Sequence, residues 1–102
     1  MDPSVSIDNV GSTICDMDVE VGWTIDPDGP DGTLTLTATA TGCSPTVSGS
    51  PQTVSAQQGT GNASFPLTVS NCANGTKVTI KATLKQGAGS ATDTKTPTVD
   101  CA

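Results

Sequence analysis

Residues 15–26 read CDMDVEVGWTID. Odd positions carry Cys15, Met17, Val19, Val21, Trp23 and Ile25, and even positions carry Asp16, Asp18, Glu20, Gly22, Thr24 and Asp26. Side chains alternate between faces along an extended chain, so a period of two over this length is the pattern of a half-buried β-strand. The run that follows, TLTLTATATGC, repeats it: Leu34, Leu36, Ala38 and Ala40 share one face and threonines occupy the other. Between them lies DPDGPDG, Asp26–Gly32, and two alternating runs around such a turn predict a hairpin.

The theme continues outward. FPLTVSNC places Phe65, Leu67 and Val69 on one face, with Pro66 predicting an edge strand, where a missing N–H costs least. KVTIKATLK sets Val78, Ile80, Ala82 and Leu84 against Lys77, Thr79, Lys81, Thr83 and Lys85. SVSIDNV and TKTPTVDC read as outer strands, and a short strand is expected within PTVSGSPQTVSA. No segment has a helical period of useful length. About seven short strands in 102 residues predict an all-β chain forming a two-sheet antiparallel β-sandwich, one domain over residues 1–102.

Composition limits what such a domain can do. The core is poor in large side chains, with one Trp, one Phe and no Tyr. Cys15, Cys43, Cys72 and Cys101 recur at near-equal intervals without a CxxC pair, which reads as two disulfides of an oxidising compartment, with three connectivities open. The net charge of −6 and the small number of lysines disfavour nucleic acid and anionic membrane surfaces. No apolar run approaches the roughly 20 residues of a membrane span. Met1 is followed by neither a basic nor an apolar region, so an exported protein is expected to have lost its signal already.

The order of features resembles a fibronectin type III domain, or more generally an immunoglobulin-like sandwich. Trp23 in VEVGWTID stands where that family keeps its core tryptophan. ANGTKVTIKATLKQGAGSAT is similar to its penultimate strand and glycine-rich hairpin, with Val78 in place of the usual tyrosine. The resemblance implies that Asp26–Gly32, Gln57–Asn62 and Gln86–Ser90 gather at one pole, the cysteines at the other, and the two termini at opposite ends. It pairs Cys43 with Cys72 and leaves Cys15 for Cys101. It also implies opposite charge on the two broad faces, from Asp16, Asp18 and Glu20 on one sheet and Lys77, Lys81 and Lys85 on the other.

Chemistry-bearing patterns are few. With no His in the chain, the usual triads and histidine metal sites are absent, and no catalytic residue is assigned. GTGNAS and GAGSAT connect strands instead of opening a helix, so they lack the N-terminus a nucleotide cradle needs. The lysines face away from the core and suit solvation better than a Lys–Asn cross-link. The outward threonines reflect β-propensity more simply than ice binding. Asn62 and Asn74 match the N-glycosylation pattern. Asp26, Asp28 and Asp31 supply hard oxygens within six residues and form a candidate calcium site, although Pro and Gly there equally specify a turn.

The sequence thus leads to a non-catalytic extracellular module, secreted or at the cell surface, acting as a structural, adhesive or spacer unit. Its partners would be neighbouring domains of the same chain, a surface protein or a glycan, and the isolated domain is expected to be monomeric. The alternative is a carbohydrate- or protein-binding module using the loop pole, with Gln58, Asn62, Gln86 and Ser90 as ligand-binding candidates.

Overall fold

Alternation becomes pairing in the computed structural model, which describes residues 3–25, 28–48, 52–54 and 59–101, with the backbone alone for 52–54. The described strands are β1 (Ser4–Ile7), β2 (Thr13–Ile14), β3 (Met17–Thr24), β4 (Gly32–Ala40), β5 (Thr46–Val47), β6 (Gln52–Val54), β7 (Thr60–Thr68), β8 (Val78–Gln86), β9 (Gly89–Lys95) and β10 (Thr98–Val99). One antiparallel sheet has the order β1-β3-β7-β5 and a second the order β6-β4-β8-β9. A separate two-stranded pair, β2 with β10, is parallel.

The strict alternation of β3 translates directly into burial. Val19, Val21 and Trp23 are buried, as is Ile25 just beyond the strand, whereas Asp18 is exposed and Glu20, Gly22 and Thr24 are half-buried. Leu34 and Leu36 from β4, Phe65 and Leu67 from β7, and Val78, Ile80, Ala82 and Leu84 from β8 join them in one hydrophobic cluster fed by both four-stranded sheets. Each large side chain among these contributes about 1.5–3 kcal/mol on leaving water. β4 loses this grip toward its end, where Ala38 and Ala40 are only half-buried.

Several expectations are corrected. β3 and β4 do not pair as a hairpin; they lie in different sheets. Alternation fixes the face a strand buries and not its neighbour, and two apolar faces are satisfied by meeting across a core as well as by lying side by side in one sheet. Pro66 is not on an edge strand, since β7 lies between β3 and β5. It is tolerated because N–H and C=O of one residue point the same way in an antiparallel strand. The Pro66 carbonyl accepts Ser48 N at 3.0 Å, so its missing N–H faces β5, a strand that has already ended at Val47. The short strand expected after Cys43 is two strands, β5 and β6, and the last expected strand is divided between β9 and β10.

β1 ties the sheets along one side. It pairs with β3 and lies against β9. Asp93 sits opposite Ala82, an inward position, and its Oδ2 accepts the amide of Ile7 at 2.7 Å.

Both disulfides form at one pole. β2 and β10 bring Cys15 beside Cys101, with Asp100 N donating to Ile14 O at 2.9 Å, and the bridge closes at a Cα–Cα distance of 5.1 Å. Cys43, after β4, bridges Cys72, after β7, at 5.4 Å, so this bond joins the two four-stranded sheets. Asn71 Nδ2 donates to Ser44 O at 2.8 Å beside it. Asn74 Oδ1 accepts Cys101 N at 2.9 Å.

Candidate functional site

The pole opposite the disulfides gathers the described parts of the expected loops. Ile25 N donates to Gly59 O at 2.6 Å, and Gln86 Nε2 donates to Pro30 O at 2.7 Å. The β8–β9 turn is tight, with Gln86 paired to Gly89 and Gly87 in the left-handed region at φ 58°. A Cβ on Gly87 would lie 3.3 Å from Pro30 Cγ, so the turn packs directly onto the 28–32 segment. Pro3 joins them, with its Cδ 2.9 Å from where a Cβ of Gly89 would stand.

The ligand candidates at this pole divide. Gln86 is buried at 6% exposure with its amide turned onto Pro30, so it braces the loop and does not offer itself to a ligand. Ser90 is exposed on β9. Asn62 is exposed but belongs to strand β7, opposite Gly22, and not to a loop. Gln58 lies outside the described residues, as does Asp26 of the candidate calcium trio. Asp28 and Asp31 are exposed, and no group of three His, Cys, Asp or Glu placed to hold a metal ion occurs among the described residues.

A more organised feature lies beside Asn62, on the outer face of β1, β3 and β7. Two rows cross the sheet there: Ser6, Gly22 and Asn62, and next to it Ser4, Thr24 and Thr60. Gly22 has no side chain, and the dent it leaves forms a groove of about 440 Å³, with Asp8 at its margin. Ser6 Oγ donates to Asp8 Oδ1 at 2.7 Å, and the hydroxyls of Thr24 and Thr60 are 3.4 Å apart. A Cβ on Gly22 would stand 2.8 Å from Asp8 Oδ2, so the carboxylate occupies room that only glycine leaves. Gly22 is not one of the glycines with positive φ, so space and not backbone freedom explains it. The groove offers hydroxyls, one amide and one carboxylate, a lining that hydrogen-bonds a polar ligand. Sequence reasoning missed it, although Gly22 interrupts an otherwise polar outward row, and a glycine inside a strand is a signal of close approach.

The outer face of the other sheet is different. Thr33, Thr35, Thr37 and Thr39 of β4 stand opposite Lys85, Thr83, Lys81 and Thr79 of β8, and Ser90, Thr92 and Thr94 of β9 continue the rows. The described outward positions of these three strands hold lysines and hydroxyls and no carboxylate. Asp18 and Glu20 lie on the groove side, so the two faces do carry opposite charge.

Asp16, Asp93 and Glu20 are committed to the backbone or to neighbours. Asp16 accepts two amides near the end of β7, Asp93 accepts Ile7 N, and Glu20 accepts the Ser64 hydroxyl. Asn9 brackets β3, donating to Asp18 O and accepting Glu20 N. These contacts are architectural.

No protein-family model, curated protein or solved structure matches this chain.

Proposed function

We propose that the chain is a non-catalytic β-sandwich module, similar to fibronectin type III domains in strand order, that works outside the cell as a structural or adhesive spacer between neighbouring domains. The observation that carries this reading is the path of the backbone. The described chain starts at one pole, where Pro3 packs on the β8–β9 turn, and ends at the other, where Cys101 is bridged to Cys15. Units that enter and leave at opposite poles string end to end without folding back. The two disulfides suit an oxidising compartment. Small-angle scattering of a two-copy fusion tests the reading: a spacer has a maximum dimension about twice that of a single copy, and a side-by-side particle no longer than one copy overturns it.

The second reading is a ligand-binding module, and Gly22 favours it. Instead of the loop pole, this reading uses the adjoining groove, whose hydrogen-bonding groups suit the hydroxyls of a saccharide. Titration of isotope-labelled protein with a panel of neutral and acidic sugars decides it. Shifts centred on Ser6, Gly22 and Asn62 that vanish in Asn62→Ala support the site, and an unmoved spectrum at millimolar sugar removes it.

A further inference from the structure

We infer that the Cys15–Cys101 bridge gives the module a further function: it is a covalent tension link that conducts load past the fold. The bond closes a loop with a sequence separation of 86. Tension applied ahead of Cys15 and behind Cys101 runs through the peptide bonds leading to Cys15, crosses the sulfur–sulfur bond and leaves through Cys101. Strands β3 to β10 lie inside the closed loop, and once β1 is freed from β3 they receive none of the end-to-end force. Only β1 and β2 lie on the loaded path.

The loaded segment also has little slack. Pro3 sits against the β8–β9 turn at one end of β8. Cys15 follows β2, whose partner β10 meets the start of β8 through the Lys77–Thr98 bridge. The nine residues of β8 cover about 30 Å at roughly 3.3 Å each. The twelve Cα–Cα steps from Pro3 to Cys15 reach at most about 43 Å when fully extended. The segment therefore spans most of its possible length already, and freeing β1 from β3 lengthens the oxidised module by only about 10 Å.

The same geometry sets what happens without the bond. Fully reduced, the 98 Cα–Cα steps from Pro3 to Cys101 extend to roughly 340 Å, a gain of about 300 Å over the folded span. With Cys43–Cys72 alone intact, its separation of 29 is withheld, and the gain falls to about 200 Å. The inner bridge changes nothing while the outer one holds.

The source of the load rests on the spacer reading, whereas the limited extension does not. Single-molecule pulling on the oxidised chain between marker domains of known length separates the two. Wild type is expected to show marker events and no event of its own beyond about 10 Å, and Cys43→Ser/Cys72→Ser behaves the same. Reductant, added to the same wild-type protein, releases about 300 Å, and Cys15→Ser/Cys101→Ser releases about 200 Å. An extension above 100 Å in wild type with both bridges verified by peptide mapping overturns the inference. The reductant arm decides the matter even if a serine variant fails to fold. A side-by-side particle in scattering, together with a short extension in pulling, removes the spacer and leaves the link.

Discussion

Asp16 Oδ1 accepts the amide of Val69 at 2.7 Å, across 53 positions of sequence, and the amide of Ser70 at 3.0 Å. One carboxylate oxygen thus closes the end of β7 onto the start of β3, next to the pole where both disulfides form. Asp16→Ala leaves two backbone donors without this acceptor, and a loss of about 1–3 kcal/mol is expected from a charged acceptor in this role. Asp16→Asn keeps the Oδ1 acceptor and costs less. Urea unfolding followed by the fluorescence of Trp23, the sole and buried tryptophan, measures both. Equal midpoints for wild type and Asp16→Ala reject the assignment.

Gly22 and Asp8 are expected to be coupled. Alanine in place of glycine at a compatible backbone angle stabilises by roughly 0.4–1 kcal/mol through the unfolded chain. Here the new Cβ meets Asp8 Oδ2 at 2.8 Å and displaces the end of that side chain. Disturbing its bond with Ser6 costs about 0.5–1.5 kcal/mol, so Gly22→Ala alone is near neutral or mildly destabilising. In an Asp8→Ala background the same change stabilises. A double-mutant cycle reads the difference, and zero coupling shows that the carboxylate does not own the space.

The two bridges should differ in weight. In the chain-entropy description, loops of about 29 and 86 residues give roughly 3.6 and 4.6 kcal/mol. Cys15→Ser/Cys101→Ser is therefore expected to lower the unfolding midpoint more than Cys43→Ser/Cys72→Ser. The reverse order would show that tying the two sheets together outweighs loop length.

For the Asp28 segment, turn chemistry alone expects superimposable melting curves in millimolar calcium and in chelator, for wild type and Asp28→Ala alike. A rise in calcium that disappears in the variant assigns the segment to the cation instead.

The strands that bury one face were legible because alternation and burial are the same fact. Val19, Val21 and Trp23, or Val78, Ile80 and Leu84, needed no tertiary information. Even Gln86 could have been placed: it continues the inward parity of Leu84 and is the buried polar residue of that strand. The disulfide pairing followed from the resemblance, because that family's strand order decides which strand ends share a pole. The hairpin expected between β3 and β4 failed because periodicity specifies a face and not a neighbour. β2, β5 and β10 have two residues each, too few to show a period, and their pairing depends on what the rest of the fold brings near. The groove over Gly22 was hidden because its walls come from three strands distant in sequence.

The carboxylate of Asp93 on Ile7 has a consequence for how the protein behaves in crowded solution. Unpaired amides along a sheet margin are templates for a strand from another molecule, and that is how many β-proteins aggregate. The margins of the two four-stranded sheets are β1, β5, β6 and β9. β5 and β6 are two and three residues long, and β1 and β9 lie against each other with the Ile7 amide already occupied. A concentrated preparation is therefore expected to resist fibril growth, and Asp93→Ala, which reopens an amide on β1, is the change that should first make it polymerise.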